Sequence, residues 1–252
     1  MKRRPQAQIP EKSWSKYIQR LAQINEKAAS LMQAFVDMAG LGSKTDLIDY
    51  CYAVATKYGE ASSALACEMY DAISDLEKAA VPAAEPAATA TYAETAKAVN
   101  GALKQSPSGA TLSGTAYKLT KQAGADTILK NAQRDGAYWA WVPSGDSCSF
   151  CMMLASRGWQ RASKKTMAGA HASHIHANCK CSFAVSFSAE GNLPSFNPDR
   201  YLDMYEGADG KRWQDKLNTM RRERYPDVKD HINAQKRAAY RKRKEFEETA
   251  GE

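Results

Sequence analysis

The 252-residue chain lacks several features that would place it in a familiar class. No apolar run approaches the roughly 20 residues that a membrane-spanning helix requires, so we expect no contact with a membrane. The first residues, Met1 to Gln8, contain no apolar stretch of the kind that forms a secretory signal peptide. We therefore expect an intracellular, reducing environment, in which disulfide bonds are disfavoured.

Common catalytic motifs are missing as well. The sequence contains no glycine-rich phosphate loop, no nucleophile elbow and no H-E-x-x-H zinc-protease motif, and we find no internal repeat. No Asp or Glu occurs between Asp146 and Glu190. Because the metal ions of phosphoryl chemistry prefer carboxylate ligands, this stretch is poorly suited to that chemistry on its own.

The cysteines and histidines, in contrast, are concentrated in one block. Four of six cysteines and three of four histidines lie in the segments C-S-F-C and H-A-S-H-I-H-A-N-C-K-C. A tetrahedral zinc ion takes four thiolate or imidazole ligands, which two tight turns can supply in pairs. Cys148 and Cys151 form one pair, and His176, Cys179 and Cys181 supply the other side. The spacing predicts a structural zinc site with five candidate ligands for four positions.

Other interpretations of these residues stay open. Buried inert thiols are one, and we interpret Cys51 and Cys67, which lie in helical apolar patterns, in this way. A catalytic thiol is another, but it requires one reactive, partly exposed cysteine with a nearby base. A nuclease-like metal centre built on His171, His174 and His176 is the third. We favour chelation by the four clustered thiols, with His171 and His174 in a polar surface loop.

Hydrophobic periodicity predicts a mainly α-helical protein with a small α+β module. Within residues 1–80, two helices with apolar stripes are expected, from about 13 to 36 and from about 45 to 78, although Gly59 could break the second. A short glycine-containing turn joins them into an antiparallel hairpin. Residues 81–91 are rich in alanine and contain two prolines, which predicts a linker or exposed loop.

Residues 92–210 are predicted to combine short helices with the Cys/His module. Helices are expected near 92–104 and 113–134, followed by the β-prone segment Tyr138–Val142 and a short helix that the first cysteine pair opens. Residues 181–187 alternate with period two, as a half-buried strand does. A metal ion would hold this strand-turn-helix-strand unit together, because a unit this small has little apolar core.

Residues 211–252 form a basic C-terminal segment, in which helices are expected over 211–224 and 227–247. From Lys211 to Lys244 there are thirteen basic and four acidic residues. Such helices attract nucleic acid by neutralising phosphates, whereas the alternative is a solvated helical face. The candidate nucleic-acid-binding residues are Arg221, Arg222, Arg224, Arg241, Lys242, Arg243 and Lys244.

Two motifs resemble the minor head proteins of tailed bacteriophages. The first extends from R-D-G at Arg134 through W-V-P-S-G to C-S-F-C-M-M-L-A-S-R-G, which ends at Gly158. The second, H-A-N-C-K-C, is similar to the H-x-N-C-x-C closing element of the Mu F-like head morphogenesis group. The resemblance covers about residues 125–206. It implies a structural virion protein inside the procapsid near the portal, present in the host cytoplasm during assembly, that aids head assembly and DNA packaging or ejection.

The resemblance also implies partners and an alternative activity. The basic C-terminal helices fit contact with packaged double-stranded DNA, and the N-terminal hairpin offers an amphipathic surface to portal, major capsid or scaffold proteins. Some members of the group are described as capsid maturation proteases, so a protease is the alternative function and a metal-dependent nuclease the second alternative. The zinc assignment comes from the ligand chemistry and not from the resemblance.

Overall fold

A computed structural model describes residues 7–106, 108–144, 147–167, 175 and 179–224. The chain divides into two compact units, one of Met1–Ser147 with Arg157–Asn197 and one of Cys148–Ser156 with Pro198–Glu252. The helices in chain order are α1 Glu11–Ala39, α2 Lys44–Glu77, α3 Tyr92–Gln105, α4 Leu112–Asp135, α5 Ser149–Ala155, α6 Lys164–Met167, α7 Pro198–Glu206 and α8 Trp213–Arg224. The strands are β1 Tyr138–Val142, β2 Gln160–Arg161 and β3 Ser182–Ser186.

The predicted mainly helical fold with a small α+β module is confirmed, and its N-terminal hairpin is α1 and α2. The buried residues of α1 recur every three or four positions: Trp14, Tyr17, Leu21, Asn25, Ala28 and Met32. Gly40 ends α1 with φ 69°, and the Ser43 hydroxyl begins α2 by accepting a hydrogen bond from the Asp46 amide. The ring of Phe35 stacks on that of Tyr50 at 4.1 Å and joins the two helices.

A single apolar cluster is shared by the first four helices. Its members include Met32 of α1, Leu47 of α2, Val99 of α3 and Leu112 of α4, all fully or almost fully buried. Burying such a side chain contributes about 1.5–3 kcal/mol to stability relative to leaving it in water. In the part of the chain that the structure describes, no helix combines the length and apolar character needed to cross a membrane.

The helix α2 continues through Gly59, so the break allowed at this position does not occur. A different glycine, Gly124, allows α2 and α4 to approach each other closely. A Cβ atom on Gly124 of α4 would lie 2.4 Å from the Ser62 Oγ and 3.1 Å from the Ser62 carbonyl oxygen in α2. Any side chain at Gly124 would therefore force the two helices apart.

The alanine- and proline-rich segment between α2 and α3 is irregular, as expected, but it is tied to the neighbouring helices. The Asp71 carboxylate accepts a hydrogen bond from the Ala84 amide at 2.7 Å. The buried Asn131 side chain accepts from the Glu85 amide and donates to the Glu85 carbonyl, both at 2.9 Å. A capping box between Thr91 and Glu94 then starts α3.

The three strands form an antiparallel sheet in the order β2-β1-β3, with Trp139 opposite Val185 and Trp141 opposite Phe183. β1 has the predicted bounds, whereas the two-residue β2 was not predicted. The half-buried pattern expected for β3 is wrong, because all five of its residues are buried. Both α2 and α4 contact β3, so its small polar residues also lie in the interior.

The second unit contains α5, α7 and α8, which contact one another. Leu217 and Met220 are the buried residues of α8. The ring of Trp213 lies 6.3 Å from that of Phe150 in α5 and is still 49% exposed. The helix expected over 227–247 lies outside the described residues.

Candidate metal centre

The four clustered cysteines lie at the ends of short elements. Cys148 is the residue before α5, Cys151 lies within this helix, and Cys179 and Cys181 come directly before β3. None of the four is in a disulfide bond, and the last three are buried with at most 3% of their surface exposed. Cys51 is buried, in agreement with the expected packing role, whereas Cys67 is only half-buried.

The first pair has a geometry that suits a shared ion. The Sγ atoms of Cys148 and Cys151 are 3.5 Å apart. A disulfide bond would need about 2.05 Å. Two thiolates bound to one tetrahedral zinc at about 2.3 Å each lie roughly 3.8 Å apart. The observed separation therefore excludes a bond between the two sulfurs and matches an edge of a zinc tetrahedron.

Three cysteines of the block are buried: Cys151 in the second unit, and Cys179 and Cys181 in the first. Thiolates are the ligands that soft or borderline ions such as Zn²⁺ prefer, so each of the three is a candidate ligand. The fourth ligand stays a prediction, because His176 lies outside the described residues together with His171 and His174.

Two polar side chains that sequence reasoning missed contact the second pair. The Ser147 Oγ lies 3.1 Å from the Cys181 Sγ, a distance at which a hydroxyl donates to a thiolate. The Nζ of Lys121, in α4, donates a hydrogen bond to the carbonyl oxygen of Cys179. Groups in such positions orient the ligands of metal sites and tune their charge. In the sequence, Lys121 stands among small residues of α4, and such residues are typical of a helix that packs closely against other helices. This is the one sequence feature that indicates burial of Lys121.

The tyrosine one turn before Lys121 also lies close to these cysteines. The pKa of Tyr117 is raised to about 12, chiefly by burial and further by negative charge at Cys179, Glu26 and Cys181. The Nζ of Lys121 lies 5.8 Å from the centre of the Tyr117 ring. One face of α4 thus presents an aromatic ring and an ammonium group beside the second cysteine pair.

Part of the predicted nucleic-acid interface falls within the described residues. Arg221 and Arg222 are exposed in the last turn of α8, whereas Arg224 is half-buried and donates to the Met152 sulfur at 3.3 Å. Arg241, Lys242, Arg243 and Lys244 lie outside the described residues. Cations in the last turn also interact favourably with the helix dipole, so the positions of these arginines fit a structural role too. Nucleic-acid binding by this segment stays a prediction.

Comparison with known families places the chain among phage proteins. A family model matches residues 8–208, from before α1 to just after α7, and the family is one of viral and phage proteins. The chain belongs to this family, whose description is VG15 protein. The match includes the hairpin and all four clustered cysteines and stops before α8. Comparisons with curated proteins and with solved structures found no match.

Proposed function

We propose that this protein is a minor capsid protein of a tailed phage. It acts in head morphogenesis as a structural component inside the procapsid near the portal, and it aids head assembly and DNA packaging or ejection. The observation that carries the proposal is membership of a phage protein family over residues 8–208. The C-S-F-C and H-A-N-C-K-C motifs support the finer assignment to a Mu F-like head protein, since both lie inside the matched region.

A structural zinc ion belongs to this proposal. Its ligands are four of five residues: Cys148, Cys151, His176, Cys179 and Cys181. The burial of three thiols and the 3.5 Å separation of Cys148 and Cys151 support it. Because the segments that carry the cysteines are short, much of the binding energy of the ion would appear as folding energy.

The same burial argues against the protease alternative. A nucleophilic cysteine has to reach a substrate carbonyl, and reactive thiols are at least partly exposed. Cys151, Cys179 and Cys181 are 0%, 2% and 3% exposed, which suits chelation better than attack on a protein substrate. The nuclease alternative depends on His171, His174 and His176, which lie outside the described residues, so it stays a prediction.

The proposed partners are the portal, the major capsid or scaffold protein and packaged DNA. The hairpin has an exposed apolar residue, Met38, which is 81% exposed at the end of α1 and is available to a partner. Deleting residues 1–80 is a poor test of this contact, because α1 and α2 share their core with α4. A single surface substitution, Met38→Glu, leaves that core intact and is the better variant.

The proposal is tested by particle composition. The chain is co-expressed with the portal, major capsid and scaffold proteins of the same phage, procapsids are purified, and their proteins are counted by quantitative mass spectrometry. We expect a few copies per particle, protected from added protease by the shell. A chain absent from particles, or one that cleaves the scaffold and loses this activity on a single cysteine substitution, would overturn the structural assignment.

A further inference from the structure

A groove of about 720 Å³ in the first unit lies between α2 and the irregular segment that follows this helix. The residues on its α2 side recur with the helical repeat and so form one face of the helix: Glu60, Ser63, Ala64, Cys67, Glu68 and Asp71. Ala84 and residues 86–89 line the other side. From Glu60 to Asp71 the helix rises by roughly 17 Å, which is the length of about five residues of extended chain. The groove therefore has the dimensions of a site for a short extended peptide.

The wall opposite this face of α2 is held in place by side chains of α2 and α4. The Asp71 carboxylate, the Asn131 amide oxygen and the Thr127 hydroxyl each accept a hydrogen bond from a backbone amide within residues 84–87, at distances between 2.7 and 3.0 Å. The amide of Ala88, an exposed residue, makes no hydrogen bond to any described part of the chain. A backbone donor thus stays available to a bound peptide. Because the wall is already ordered, binding does not include the entropic cost of ordering it.

The groove is acidic, although the chain as a whole has a formal net charge of +7. Among the described residues, its lining contains three carboxylates, those of Glu60, Glu68 and Asp71, and no basic side chain. Arg20 of α1 pairs with Glu68 at 2.9 Å, but the two side chains are 48% and 61% exposed, so this pair is weak and can be exchanged. The charge of the groove therefore favours a cationic ligand.

The floor of the groove is made of small side chains. Ala64 is exposed and Cys67 is half-buried, so a peptide backbone can come close to the helix. Ser63 also lines the groove and is only 1% exposed. Its Oγ has no hydrogen-bond partner in the part of the chain that the structure describes, which is unfavourable for a buried hydroxyl. By rotating about its Cα–Cβ bond, this hydroxyl can pair with a polar group of a ligand at the floor.

We propose that this groove binds an extended peptide segment of a partner protein in which lysine or arginine alternates with small residues. An extended chain directs successive side chains to opposite sides. The small residues face the floor at Ala64, and the long cationic side chains reach the carboxylates of Glu60, Glu68 and Asp71 at the rim. The inference goes beyond the proposed function and depends neither on the metal centre nor on the place of the protein in the phage head.

Binding is measured by fluorescence anisotropy with the full-length chain and two short labelled peptides. Alanine alternates with lysine in the first peptide and with glutamate in the second. We expect the lysine peptide to bind, with an affinity that falls as salt is added, and the glutamate peptide not to bind. A lysine peptide that does not bind, or equal binding of the two peptides, overturns the proposal.

A first pair of variants tests the role of charge. Glu60→Gln with Glu68→Gln removes two exposed carboxylates from the groove and should weaken binding of the lysine peptide about fivefold. The control, Glu11→Gln with Glu26→Gln, removes two exposed carboxylates of α1 that do not line the groove, and its affinity should stay within about twofold of wild type. Equal weakening in both double variants would reduce the effect to net charge and contradict binding in the groove.

A second pair of variants tests the shape of the groove. Ala64→Phe places a ring on the floor, whereas Ala53→Phe places the same ring at another exposed position of α2. We expect Ala64→Phe to bind the lysine peptide at least tenfold more weakly and Ala53→Phe to bind it like the wild type, because only the first ring collides with the peptide. Circular dichroism checks that both variants are folded. Wild-type affinity in a folded Ala64→Phe would show that the peptide binds elsewhere, and if this variant does not fold, the charge variants decide.

Discussion

The side-chain amide of Asn192 donates a hydrogen bond to the carboxylate of Glu77, the last residue of α2. The same amide donates to the Val185 carbonyl in β3 at 3.0 Å. The Phe187 amide donates to the other oxygen of the Glu77 carboxylate, also at 3.0 Å. A single acidic group thus connects the end of the hairpin to the strand that follows the second cysteine pair.

The pH dependence of stability provides the first prediction. Burial raises the pKa of Glu77 above its ordinary value of 4.5, and hydrogen bonds from Asn192 and Phe187 oppose this shift only partly. The folded protein therefore holds the Glu77 proton to higher pH than the unfolded chain does. Its contribution to stability is complete below pH 4.5 and is lost as the pH rises through the folded pKa.

Urea unfolding of the wild type and Glu77→Gln between pH 4 and pH 7 checks this prediction. The free energy of unfolding of the wild type, minus that of the variant, should decrease with rising pH, because glutamine does not titrate. A difference that increases over this range would mean that folding favours the carboxylate form. The pKa of Glu77 would then be lowered by folding, which contradicts the prediction.

The contact between α2 and α4 provides the second prediction. In Gly124→Ala the new Cβ would lie 2.4 Å from the Ser62 Oγ, so the helices must move apart. We expect a net loss of about 1–3 kcal/mol in the free energy of unfolding, because overpacking outweighs the gain in helix propensity. In the control, Gly101→Ala, the Cβ on α3 meets nothing within 4 Å. This variant should be up to about 1 kcal/mol more stable than the wild type, and a stabilised Gly124→Ala would contradict the close approach.

The segment between α2 and α3 provides the third prediction. Asn131→Ala removes a fully buried side chain that makes two hydrogen bonds to the backbone of Glu85. Leaving those groups without partners should cost about 2–3 kcal/mol and allow proteolysis of residues 79–91. Lys130→Ala removes an exposed ion pair to Glu85 and a long hydrogen bond of 3.4 Å to the Pro86 carbonyl, and it should cost less than about 1 kcal/mol. Equal effects of the two substitutions on limited proteolysis would show that Asn131 does not hold the segment.

DNA binding by the C-terminal segment is the fourth prediction. The double variant Arg221→Gln with Arg222→Gln removes two exposed cations from α8. If both contact phosphates, the slope of log affinity against log salt should fall by about two, whatever the DNA sequence. The control is Lys12→Gln with Lys16→Gln, which removes two exposed charges from α1. Fluorescence anisotropy with a DNA duplex measures the affinities of both double variants. An equal fall in slope for the control would show that the effect comes from the loss of net charge and not from phosphate contacts of Arg221 and Arg222.

Much of the fold could be predicted because local signals agree with the tertiary contacts. The apolar spacing of Trp14, Tyr17 and Leu21 and the turn residues near Gly40 identify the hairpin. The run Tyr138–Val142 identifies β1 to the residue, since aromatic and β-branched side chains favour strands. These elements are determined mainly by residues close together in the sequence, so they can be predicted from it.

The features that were missed depend on residues remote in the chain. β2 is a two-residue strand that exists only because Gln160 and Arg161 pair with β1. The burial of β3 follows from packing by α2 and α4, which its alternating pattern does not encode. Lys121 and Cys179 are 58 positions apart in the sequence, so their contact can be recognised only in the folded structure. The candidate ligands could be identified from the sequence because ligand spacing is a local signal, and their role in metal binding stays a prediction.

The role of the cysteine block is tested by the fifth prediction. Cys181→Ser should abolish zinc binding and unfold the β1–β3 region, because a structural ion contributes folding energy. Emission from the buried Trp139 and Trp141 should then shift towards that of exposed tryptophan. Cys67→Ser, a change to a half-buried cysteine outside the block, should alter neither the zinc content nor the emission.

Metal content of the purified wild-type chain is the most direct test of the account. Inductively coupled plasma mass spectrometry on protein purified without chelators or an affinity metal should find about one zinc per chain. A folded chain that contains no zinc, and whose four clustered cysteines all react with a thiol reagent without prior unfolding, would contradict the metal centre.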